Sequence, residues 1–155
     1  MKTVHQWLGE YSSSHRNPTN KTLHWICVPL IVFTAFLAFK CIPLGNRIVN
    51  VESLVMLLSL AYYLRLSWRL SIGLALVYVP MYFATVLIQQ LAGAYTLAIA
   101  AGIFIVAWIG QFIGHHYEGA KPSFFKDLQF LLIGPLWLMS FVYRKLHIPM
   151  NAAHT

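Results

Sequence analysis

Five apolar stretches divide the chain, and their lengths set the class of protein. Residues 23–42 form a run of about 20 residues, the length an α-helix needs to cross a bilayer. Residues 51–66 make a shorter run, flanked by Glu52 and Arg65, whose spanning requires a thinned bilayer or snorkelling ends. Residues 70–91 and 95–113 follow, separated by a bare turn at Gly93. A last run, 128–143, holds Gly134-Pro135 and reads as re-entrant, interfacial or a thin fifth span. Pro29 and Pro80 lie inside the first and third runs, where modest kinks are expected. Ahead of the first run, residues 1–22 are polar and aromatic and read as a cytoplasmic arm. Asn17-Pro18 marks a turn there, and Asn20 is a good N-cap for the helix that follows. The expected fold is an all-α integral membrane helical bundle: a single domain over residues 1–155, with four spans and a C-terminal re-entrant or interfacial segment.

Composition supports the bilayer. The 155 residues are 59% hydrophobic and 10% charged, against about 45–50% and 25% in soluble domains. A soluble fold of this size could not hide that much apolar surface. Eleven Lys and Arg against four Asp and Glu give a charge of +7, which would suggest nucleic acid in a soluble protein. Here the cations sit between apolar runs, at headgroup level, so no nucleic-acid partner is expected. Lys2, Arg16, Lys21, Arg65, Arg69, Lys121 and Lys126 fall on one side and only Lys40 and Arg47 on the other, which places the N-terminus in the cytoplasm. Cys27 and Cys41 are read as reduced thiols, since one pair makes no disulfide framework. No secretory signal precedes the first run. Short loops favour a bacterial inner membrane, with the endoplasmic reticulum as the eukaryotic counterpart.

This parity brings distant residues to one level. The start of the first span and the end of the fourth lie on the same side, so His15, His24, His115, His116 and Glu118 all reach the cytoplasmic face. On a continuous helix His15 and His24 would be separated by about 900° of rotation and would face apart. The Asn17-Pro18 break lets His15 fold back beside His24. Gln111 and His115 are i,i+4 neighbours, and His115 and Glu118 are i,i+3 neighbours, so all three share a face. Gly114 permits close approach of a backbone or ligand. Imidazoles and a carboxylate suit iron, zinc or copper, and two histidines with one carboxylate suffice for non-haem Fe(II). The bland alternative is a set of packed or headgroup-facing histidines. His116 is either a catalytic neighbour of this set or a solvent-facing residue. Arg65 and Arg69 flank Trp68 and read as interfacial anchors, or alternatively as holders of a substrate carboxylate. No nucleophilic serine motif, P-loop or dinucleotide fingerprint occurs.

Two motifs resemble the membrane 2-hydroxy fatty acid dioxygenase family. One comprises Trp7, Tyr11, His15, Asn17-Pro18, Asn20, His24 and Pro29. The other is Gln111-Phe-Ile-Gly-His115 followed by Glu118 and Pro122. Relatives often carry Gly at the position of Cys27. The resemblance implies that His15, His24, His115 and Glu118 are metal ligands, with Glu118 alternatively orienting His115 or the substrate. It also implies supporting or catalytic roles for Asn20, His116, Gln111 and Tyr11. The implied cofactor is Fe(II), with zinc the alternative. The implied reaction is α-oxidation: dioxygen and a 2-hydroxy fatty acid give the acid one carbon shorter, carbon dioxide and water, a balance that needs no separate reductant. Membrane lipid is the implied surrounding partner. The competing readings are a zinc-dependent lipid hydrolase at the same site and a non-enzymatic lipid-binding protein.

Overall fold

A computed structural model describes residues 2–119 and 124–150, with side chains of the second stretch described from 130 onward. Lys121 and Pro122 lie outside the described residues, as does the side chain of Lys126. The described residues form six α-helices and one 3-10 turn: α1 (Val4–Ser13), α2 (Pro18–Lys40), α3 (Val51–Leu66), α4 (Trp68–Ala92), α5 (Thr96–Glu118) and α6 (Phe124–Lys145), with the turn at Gly93–Tyr95 between α4 and α5.

The N-terminal arm is a correction to the sequence reading. Thr3 opens α1 with a capping box closed by Gln6. Val4, Leu8 and Tyr11, at i, i+4 and i+7, form a buried stripe of the kind that docks a helix on a core. The N-cap of α2 is Asn17, not Asn20: its side chain accepts from the Thr19 amide, with Pro18 in the first turn. Pro at that position loses no helical hydrogen bond. Asn20 sits a turn further on and is fully buried.

The other boundaries follow the apolar runs closely. α2 has 23 residues, about 34 Å of helix, and α3 has 16, about 24 Å. Among the described residues, two stretches are long and apolar enough to cross a membrane, Pro18–Lys40 and the continuous Trp68–Glu118. Large apolar side chains such as Leu57, Leu76, Phe83, Leu91, Ile105 and Val106 point outward.

α2 and α5 pack antiparallel along their length. Asn20 lies against Gly114, Cys27 against Gly110, and Ile31 clusters with Ala107. Small residues on α5 permit that approach. α6 touches α1 through the Trp137–Ser12 hydrogen bond. It meets α2 at Trp25 and Val28, and α4 at Arg69 and Gly73. The contacts on α2 and α4 all fall in the first half of each helix, so α6 crosses one end of the bundle instead of running its length. At the opposite end Lys40 pairs with Glu52 at 3.0 Å, both side chains buried. The Thr85 hydroxyl donates to Glu52 at 2.5 Å, and the Lys40 ammonium sits 4.4 Å from the Tyr82 ring centre.

Candidate metal centre

Four residues between α1 and α2 shape the site. α1 ends at Ser13, the chain turns through Ser14, His15 and Arg16, and Asn17 caps the start of α2. Glu118, at the last position of α5, holds this turn in place. One carboxylate oxygen accepts from the Arg16 amide at 2.6 Å. The other accepts from the Asn17 amide at 2.9 Å and from the Asn20 side chain at 3.0 Å.

The turn brings His15 over His24, and their Nε2 atoms lie 2.9 Å apart. The opposite ring nitrogens are committed: His15 Nδ1 is 2.7 Å from the Tyr11 carbonyl, and His24 Nδ1 is 2.9 Å from the Asn20 carbonyl. A carbonyl accepts only, so each Nδ1 carries the proton and each Nε2 presents a lone pair. Two lone pairs at that separation repel unless a cation or proton lies between them. His115 completes the group: the ligand atoms of His15, His24 and His115 all lie within 4.8 Å of one another. With metal–nitrogen bonds of about 2.0–2.1 Å, one ion between the three is sterically reasonable. The donor chemistry therefore fits a divalent transition ion.

Burial keeps His15 neutral. His15 is 2% exposed, and removal from water pushes its imidazole down to about 4, well below the ordinary value of about 6.5. The Tyr11 ring stacks flat on His15, with centres 4.1 Å apart and planes 1° apart. Trp137 packs beside both rings, 5.0 Å from Tyr11, 5.5 Å from His15 and 6.4 Å from His24, ring centre to ring centre. A small cavity adjoins the three imidazoles. Tyr11, Gln111 and Trp108 line it beside Val28, Ile31, Phe112, Phe130 and Leu131.

Most sequence candidates converge here. His15, His24, His115, Gln111 and Tyr11 border one space, and Asn20 supports it through its carbonyl and its amide. Three sets of candidates stand apart from this space. Glu118 does not join the imidazole group; its oxygens are taken up by the turn's N–H donors. His116 is exposed, edge-on to Tyr117, because its place in the sequence turns it away from the face of His115. Arg65 is exposed. Arg69 donates to the Pro149 carbonyl at 3.2 Å and lies over Trp68, so neither arginine borders the cavity. Sequence reasoning missed Trp108 and Trp137. The spacing of Trp108, Gln111 and His115, at i, i+3 and i+7, is the signal that could have found the first.

The family model described as "2-hydroxy-palmitic acid dioxygenase Mpo1-like" matches residues 1–146. The chain is similar to the 2-hydroxy-palmitic acid dioxygenase MPO1 of Saccharomyces cerevisiae, with 32% identity over 142 residues, covering 85% of this chain and 75% of the yeast protein. No solved structure matches. A match along nearly the whole chain, on a fold that gathers His15, His24 and His115, places this protein in the Mpo1-like family of 2-hydroxy-palmitic acid dioxygenases.

Proposed function

We propose that this protein is an Fe(II)-dependent membrane dioxygenase that shortens 2-hydroxy long-chain fatty acids by one carbon. The observation that supports it most is the pair of buried imidazoles whose Nε2 lone pairs face each other at 2.9 Å, with His115 beside them. His15, His24 and His115 hold the ion. A bound ferrous ion supplies the redox chemistry with dioxygen that side chains lack. The chain's own residues do the rest. The Tyr11 and Asn20 carbonyls fix both histidine tautomers, as outer partners of metal ligands generally do. Tyr11 and Trp137 exclude water from the imidazole faces. The apolar wall of the cavity receives the first methylenes of the acyl chain. In the overall balance, the C1–C2 bond breaks, C1 leaves as carbon dioxide, C2 becomes the new carboxyl carbon, and the remaining oxygen leaves as water.

The relative's printed substrate, a 2-hydroxy palmitic acid, supports the substrate class. The outward apolar side chains and the two long apolar stretches support four spans over about residues 23–42, 51–66, 70–91 and 95–113. α6 then lies along the interface over the site, on the cytoplasmic side with the N-terminus. Glu118 serves the site by fixing the turn that carries His15.

Elemental analysis of purified protein, followed by incubation with 2-hydroxyhexadecanoic acid in air and without oxygen, tests the reading. Bound iron, and pentadecanoic acid formed only in air, is the expected result. His24→Ala removes one of the three imidazoles and should abolish both. Turnover without oxygen on a zinc-loaded protein would replace the dioxygenase with a hydrolase, and an active, iron-replete His24→Ala protein would overturn the metal site.

A further inference from the structure

The carboxylate of a 2-hydroxy acid needs a recognition element, and Arg65 and Arg69, which the sequence offered for it only as an alternative to interfacial anchoring, do not border the cavity. Two neutral donors do. The Trp108 indole nitrogen and the Gln111 side-chain amide nitrogen are buried, and neither has a hydrogen-bond partner among the described residues. Gln111 as a whole is 5% exposed. Both residues line the same cavity as His15, His24 and His115. They lie on one face of α5 with His115, at i, i+3 and i+7.

Buried donors are seldom left unpaired, because losing water without gaining an acceptor is costly. An indole N–H and an amide N–H can only donate, so their complement is an acceptor. A carboxylate oxygen accepts from two donors at once, and its charge makes those hydrogen bonds stronger than any to a neutral hydroxyl. The charge is compatible. Three neutral imidazoles leave the positive charge of a divalent ion uncompensated, because Glu118 is occupied at the turn. An anionic head is therefore attracted without any arginine.

We propose that Trp108 and Gln111 form a two-donor clamp that binds a carboxylate oxygen of the fatty acid and orients its C1–C2 bond at the histidine site. This inference rests on the dioxygenase reading for its ligand and adds to it the residues that select an acid. Trp108 and Gln111 are substrate-binding residues, and they discriminate by hydrogen bonding.

The test compares two ligands on the full-length, metal-loaded protein in detergent without oxygen: 2-hydroxyhexadecanoic acid, and 1,2-hexadecanediol, which keeps the hydroxyl and the chain but lacks the carboxylate. Equilibrium binding is measured for the wild type, Trp108→Phe and Gln111→Leu, with metal content determined in each. Trp108→Phe retains an aromatic ring and loses the N–H. Each variant should weaken binding of the acid by about tenfold or more, the size expected for a lost hydrogen bond to a charged group. Diol affinity and metal content should be unchanged. Equal weakening of both ligands, loss of metal, or no effect on either ligand would overturn the clamp. Wild-type turnover in air separates this proposal from the one beneath it. Turnover with unselective variants rejects the clamp alone, whereas acid-selective losses without oxygen-dependent turnover reject the reaction alone. A wild type that binds neither ligand rejects both.

Discussion

At the scale of single residues, the site depends on keeping imidazoles neutral and pointed. The folded value for His15 is about 4, below its ordinary value of about 6.5. Between those two pH values the unfolded chain holds a proton that the folded chain does not. Stability of the metal-free protein therefore rises with pH from about 4 to 6.5 and gains nothing further from this group above that. Thermal unfolding of wild type and His15→Gln across that window should show a shallower pH slope in the variant; identical slopes would contradict the assignment. Glu118 offers a second check. Glu118→Gln exchanges an accepting oxygen for a donating NH2 against three N–H groups, and should cost about 1–3 kcal/mol of stability. Saturating iron should still bind with unchanged stoichiometry. Lost iron with an unchanged melting temperature would make Glu118 a ligand after all. The convergence of His15, His24 and His115 was legible from a proline turn and from counting spans. The position of Glu118 within the turn was not, because i,i+3 spacing gives a shared face and says nothing of what the carboxylate meets across a hundred residues of sequence.

Among the elements, the α2–α5 contact sets the tolerance of the site. A Cβ added at Gly114 would lie 2.5 Å from Asn20 Oδ1, and one at Gly110 would lie 2.6 Å from Cys27 Sγ. Gly110→Ala should therefore destabilise by about 1–3 kcal/mol through overpacking. Adding Cys27→Ala removes the opposing sulfur and should restore most of the loss, as read by thermal unfolding of the single and double variants. No restoration would mean that the helices are not opposed as described. Helix positions were legible because apolar runs of 16–22 residues leave little choice of secondary structure. α1 was missed although Val4, Leu8 and Tyr11 have helical spacing. The stripe is short, polar residues surround it, and its partner α6 lies more than a hundred residues away. The tryptophans escaped notice for the same reason: an indole on an apolar helix reads as belt or core until its neighbours are known.

For the molecule as a whole, the two ends of the bundle are built differently. One end gathers the imidazoles under α6; the other is fastened by the buried Lys40–Glu52 pair with Thr85. Removing one partner leaves an uncompensated charge, so Glu52→Leu or Lys40→Met alone should cost about 3–5 kcal/mol, and the double variant markedly less than either. Unfolding in detergent measures this cycle, and a double variant as unstable as the sum of the singles would show that the pair is not coupled. The all-helical class was legible from the lengths of the apolar runs. The crossing direction of α6 was not, since length and hydropathy do not say whether a helix traverses a bundle or lies over its end.

The turn that holds His15 is fastened by the final residue of α5. During synthesis His15 and His24 leave the ribosome early, while His115 and Glu118 emerge about ninety residues later. The complete three-imidazole grip on an ion can therefore form only once α5 has been made, so an ion held by all three would be captured after the first 118 residues have been delivered.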